Sequence, residues 1–293
     1  MIRRPPRSTL DRSSAASDVY KRQALVYLLF LGKWMDVGLM LANTLFISLL
    51  AWLTVRLTRP MPPEPEIAPP SRGRLWAQLG VLTAIILITW VGGDNVPLWS
   101  GMIARLRSLG EVVLPVEWFG GPGNAVANPV QYFVIPLILL LVLGAKPREL
   151  GLGRGHRVWQ VSLLWAAAGG VILILPAAAG SLSLRTFVGR VISNAFQNGF
   201  FEEFLFRGAL QTRLRLFLST PWTLVIQALL FGLWHLRSNT LAFNGNIVAG
   251  LAWCIISQGV LGFVFGVIFH RTRNLVAPSV AHIMMNVVGQ SLG

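Results

Sequence analysis

Apolar residues run along this chain in long blocks, separated by short links that carry most of the charge. A bilayer core about 30 Å thick needs roughly 20 residues of apolar helix, and several blocks reach that length. The pattern predicts spans over 37–57, 75–92, 129–145 and 158–178. It then predicts a long, partly apolar helix over 184–218, a short span over 223–236, a long one over 245–270 and a last one over 275–291. A proline-rich stretch, 60–70, reads as an extended connection. The longer link 93–128 has room for a short interfacial helix around 102–109. The expected fold is therefore all-α: a polytopic membrane helical bundle of about eight helices, seven or eight of them embedded.

Residues 1–23 break the pattern. They are rich in Arg and Ser, have no apolar core, and read as a non-native or disordered tail rather than a signal peptide. The remainder divides into N-terminal transmembrane helices over 24–178 and a C-terminal core over 179–293.

Composition agrees with the hydropathy pattern. Hydrophobic residues make up 54% of the chain and charged residues 12%, against about a quarter charged in a soluble domain. The net charge of +14 is no nucleic-acid signature, because the basic residues sit in links between spans. Lys146, Arg148, Arg154 and Arg157, with Arg56, Arg59, Arg72, Arg74, Arg213, Arg215, Arg271 and Arg273, fall on one side of the layout. Arg105, Arg107, Arg185 and Arg237 fall on the other with most of the acids. The asymmetry puts the basic side in the cytoplasm, and a multi-pass protein of the cell membrane is expected if the source is prokaryotic. A single cysteine, Cys254, excludes an intrachain disulfide and a cysteine-based metal cluster.

Ionisable residues inside a span are costly and usually mark a working site. Glu202, Glu203 and Arg207 stand in an aromatic run, Phe200 to Phe206. Helical spacing of four puts Glu203 beside Arg207, Phe231 beside His235, and His282 beside Asn286. Glu202 points about 100° away from Glu203, which frees it to face the histidines while Arg207 neutralises Glu203. Glu202 and an imidazole are suited to withdraw a proton from water, and an imidazole and an amide to hold an oxyanion. Alternatively, Glu202, His235 and His282 are a zinc-type ligand set with an open position. Both readings end in hydrolysis of an acyl bond, and the cofactor, none or one divalent metal, stays open between them. Taken singly, His235 also fits an interfacial histidine, and His282 with Asn286 fits interhelical hydrogen-bond glue. Gly262 and Gly266, at GxxxG spacing, and the Gly169-Gly170 pair read as helix-packing positions.

Jointly, Glu202-Glu203-x-x-x-Arg207, Phe231-x-x-x-His235 and His282-x-x-x-Asn286 resemble the three motifs of the intramembrane CAAX-protease and bacteriocin-processing family, known as CPBP or Abi, which includes the Rce1-type prenyl endopeptidases. The resemblance covers about residues 185–292 and implies an intramembrane endopeptidase acting on a membrane-associated peptide or protein. It implies that Glu202 activates water with His235, that His282 and Asn286 stabilise the oxyanion, and that Glu203 and Arg207 orient the site. Two other readings compete. One is a non-catalytic scaffold or bacteriocin-immunity factor that binds a peptide in the same cavity. The other is a transporter using the carboxylates as a proton relay, weakened by the absence of visible repeats. Membrane lipid and a peptide substrate are the expected partners.

Overall fold

The computed structural model describes residues 23, 26, 27, 29, 32, 34–63, 70–91 and 95–292. Apart from Gln23, the expected tail lies outside them, as does Asp94. Among the described residues all regular structure is helical. We name the principal helices α1 (Trp34–Leu57), α2 (Arg72–Val91), α3 (Pro97–Val113), α4 (Pro122–Val142), α5 (Val158–Ala178), α6 (184–214), α7 (Thr220–Trp234), α8 (Leu236–Ala242), α9 (Ile247–Thr272) and α10 (Val276–Leu292).

Val37–Leu57 within α1, and all of α2, α4, α5 and α9, are long and apolar enough to cross a membrane. These are five among the described residues, and the helices that carry the motifs are shorter or more polar. α7 is apolar but has only 15 residues. α10 has 17 and includes His282 and Asn286, and α6 includes the two glutamates and several arginines. The third span also begins earlier than its apolar run, at Pro122 rather than 129. Pro129 lies inside it, and a proline there removes one ladder hydrogen bond and crowds the preceding turn. The backbone responds with a π-helical stretch, Val130–Val134, before α geometry resumes at Ile135. The predicted interfacial helix is longer than expected, since α3 fills Pro97–Val113. Its Gly110 lies so close to the Pro122 carbonyl that an added Cβ would overlap it, and Glu111 Oε1 accepts from the Gly123 amide at 3.0 Å.

The chain divides into two compact units that do not follow chain order. The first comprises residues up to Leu53 and Gln211–Val267. In it α7 packs on the π-helical segment Cys254–Gln258 of α9, where Gly232 brings the backbones together. Gly262 lies against Phe231 and Ala228, and the Gly266 position faces Leu224, Gln227 and Gln211. The GxxxG glycines are thus contact positions, as their spacing predicts. Two buried amides add to them: Gln227 Nε2 donates to the Gly262 carbonyl at 2.9 Å and Gln211 Nε2 to the Gly266 carbonyl at 3.1 Å. In lipid, such close approach and interhelical hydrogen bonding replace burial from water as the force between helices.

The second unit comprises Thr54–Leu210 and residues from Ile268 on. α5 packs along α10, with Leu173, Met284, Val287 and Val288 in one buried cluster. Gly169 makes this possible, because a Cβ there would meet Met284 Cε at 2.8 Å, whereas Gly170 faces open space. Arg271 donates to Thr58 Oγ1 (2.8 Å) and to the Val55 and Thr58 carbonyls (both 3.1 Å), which ties the end of α1 to the end of α9. The orphan carbonyls at the end of α1 are met by a cation, the arrangement the helix dipole favours.

Candidate active site

Helix α6 carries the Glu-Glu pair, and its backbone is irregular on both sides of it. Ala195–Gly199 and Phe204–Gln211 are π-helical, and Phe200–Glu203 between them is a single α turn. Such widened turns are rare and concentrate at functional sites. Close approach explains part of the geometry. A Cβ on Gly199 would overlap the Ile283 side chain of α10, and one on Gly208 would sit 2.6 Å from the Leu150 carbonyl oxygen. Phe133 of α4 wedges against Phe200, Phe201 and Phe204, with ring centroids 5.5, 6.0 and 4.7 Å away.

Glu203 and Arg207 are both fully buried and pair as the spacing of four predicts, Arg207 Nη1 donating to Glu203 Oε1 at 2.9 Å. The same carboxylate oxygen accepts a second bond at 2.9 Å, from His282 Nδ1. The two glutamates therefore do not separate as cleanly as the 100° offset suggests. His282 reaches both, with Nε2 3.9 Å from Glu202 Oε2. A carboxylate paired with Arg207 is ionised and only accepts, so Nδ1 of His282 carries a proton. In the neutral imidazole Nε2 is then an acceptor, turned toward Glu202. The side chain of Asn286, one turn along α10, makes no hydrogen bond among the described residues and is half-buried.

His235 belongs to the first unit and follows the last residue of α7. Its Nδ1 donates to the Phe231 carbonyl at 2.8 Å, and its ring packs edge-on to Phe231 at 4.8 Å and Trp234 at 5.1 Å. The Phe-x-x-x-His motif is thus one local contact, and the bond to the carbonyl leaves Nε2 as the acceptor.

The zinc reading needs three donors around one point. In the second unit Glu203 Oε1 is engaged by Arg207 and His282, and His282 Nδ1 by Glu203, which leaves Glu202 and His282 Nε2. Among the described residues no three His, Cys, Asp or Glu side chains gather to hold a metal ion. Two donors within the second unit fall short of a zinc ligand set.

Helix α4 adds polar residues outside the three motifs. Asn128 Nδ2 donates to the Gln197 carbonyl at 2.7 Å, Gln131 Nε2 to Asn128 Oδ1 at 2.9 Å, and buried Tyr132 lies within electrostatic reach of Glu202. The signal was present as polar residues at 128, 131 and 132, helical neighbours inside an apolar run.

Fold and site together define an all-α, polytopic integral membrane protein with a buried acid–histidine centre. Comparison with known families is more specific. Residues 184–288, which hold all three motifs, match the family described as type II CAAX prenyl endopeptidase Rce1-like. By that description the family is one of CAAX-protease-type hydrolases. No curated protein and no solved structure matches the chain.

Proposed function

We propose that the protein is an intramembrane endopeptidase in which Glu202 is the general base and His282 its partner in holding the attacking water. The observation that carries this is the shared hydrogen bonding of Glu203 Oε1, which fixes His282 with Nε2 facing Glu202 Oε2 across 3.9 Å. That gap is too long for a direct hydrogen bond, and suits one water bonded to both atoms at about 2.8 Å. The water donates one proton to each acceptor, and its free lone pair faces the scissile carbonyl. As the oxygen–carbon bond forms, Glu202 takes the proton. When the carbon–nitrogen bond breaks, Glu202 returns it to the leaving amine.

This moves His282 from oxyanion donor, its expected role, to water acceptor, and leaves the Asn286 amide as the donor to the tetrahedral oxyanion. Glu203 and Arg207 are positioning residues. His235 is assigned to the water-activating step by its motif alone. The substrate class that follows from the family is a membrane-associated protein or peptide, cut in the plane of the membrane, with a prokaryotic plasma membrane as the proposed location.

The test compares membranes holding wild type or Glu202→Gln at matched levels, with mapping of new peptide termini and a purified reaction to follow. Termini that appear only with wild type are expected, from a variant that still inserts and folds. Identical termini from both would refute proteolysis by Glu202 and turn attention to the peptide-binding scaffold or immunity reading.

A further inference from the structure

A cleft separate from the Glu-Glu pair opens where α6 begins. It has a volume of about 630 Å³, and Glu117, Trp118, Arg185, Arg190, Ser193 and Gln197 line it. That volume lies within the range of about 300–1,000 Å³ typical of small-ligand sites. Its wall is built: Ser193 Oγ donates to the Phe119 carbonyl at 2.6 Å, and Gln197 Nε2 donates to the same carbonyl and to Ser193 Oγ. Gly189 and Gly121 keep the walls close, since Cβ atoms there would stand 3.3 Å from the Glu117 carbonyl and 3.2 Å from Gln197 Oε1.

The charges in this cleft are not spent on one another. Arg185 lies 6.0 Å from the Trp118 ring centroid, and Arg190 Nη1 donates to Ser291 Oγ at 2.6 Å. Among the described residues neither arginine nor Glu117 forms an ion pair. Two guanidiniums against one carboxylate leave a net positive cleft, complementary to a monoanion. Guanidinium groups recognise phosphate oxygens well, in charge-assisted and often bidentate geometry.

Position narrows the ligand. α2 ends at Val91, α4 begins at Pro122 and α5 ends at Ala178, so alternate crossing brings these three ends to one membrane face. The cleft residues 117–121 lie just before α4 and residues 185–197 just after α5. The cleft therefore opens at headgroup depth, where tryptophan is enriched. We infer that it is a binding site for the phosphodiester headgroup of an anionic membrane phospholipid, held between Arg185 and Arg190 on the face opposite the Lys/Arg-rich links.

The experiment is native mass spectrometry of the full chain in detergent, titrated with phosphatidylglycerol or with diacylglycerol of the same acyl chains. The wild type is expected to retain phosphatidylglycerol at least about tenfold better, the value of one hydrogen bond to a charged group. Arg185→Gln and Arg190→Gln should each reduce retention by about the same factor. Arg105→Gln, at an exposed arginine outside the cleft, and Ser291→Ala, which removes only the partner of Arg190, should leave it within about twofold, since neither alters the cleft charge. Equal retention of diacylglycerol, or unchanged retention by both arginine variants, overturns the site. Displacement of the lipid by millimolar glycerol 3-phosphate assigns the cleft to a soluble phosphate, and displacement by a peptide with a free carboxylate assigns it to a peptide terminus. Either result overturns the lipid assignment.

Discussion

Glu203 holds two partners on one oxygen, Arg207 and His282, with the glutamate and arginine fully excluded from solvent. Removing one member of such a pair leaves a buried charge uncompensated, at a cost of about 3–5 kcal/mol. Arg207→Ala should lower stability by that amount in detergent, read by denaturant titration, and a loss below about 1 kcal/mol would show the pair to be solvated. Asn286 behaves differently because its amide has no hydrogen bond to lose among the described residues. Asn286→Ala should leave unfolding unchanged and lower kcat by about 10²–10³, the value of an oxyanion donor. Equal kcat in the variant would remove Asn286 from the site.

Helices bear out some sequence readings and correct others. α5 occupies Val158–Ala178, the bounds of its apolar run, because Arg157 and the turn after Ala178 close the run at both ends. α4 departs from its run because Pro129 is carried within the helix by a widened turn, and hydropathy does not register such a turn. The Glu203–Arg207 pair was legible from a spacing of four. The bond from His282 to Glu203 was not, because it joins residues 79 apart and depends on which ring nitrogen faces the carboxylate. Tyr132 lies outside the three motifs, and its place near Glu202 depends on how α4 packs against α6. The α5–α10 contact gives a direct element-level test. Gly169→Leu, whose side chain must enter the space of Met284, should destabilise by about 1–3 kcal/mol. Gly170→Leu, facing open space, should cost less than about 1 kcal/mol. Similar melting shifts for both variants would contradict the packing described.

For the whole molecule, the crossing pattern is open to direct test. Cys254 is the chain's one cysteine and is buried, so a single introduced thiol can be read without background. Arg154 and Glu117 are both exposed, on the two links that α4 separates. Arg154→Cys and Glu117→Cys should label with an impermeant maleimide from opposite faces of sealed vesicles. Labelling of both from one face would mean that α4 does not cross.

The fixed charges of the buried centre that His282 joins are two carboxylates and one guanidinium, Glu202, Glu203 and Arg207. With His282 neutral, the centre rests one electron charge below neutrality. In the proposed reaction Glu202 takes the proton of the water, that deficit is transferred to the tetrahedral oxygen, and it returns when the amine leaves. The cycle borrows and restores a single proton locally, so no current flows across the bilayer. Turnover should therefore be indifferent to membrane voltage and continue in fully de-energised vesicles.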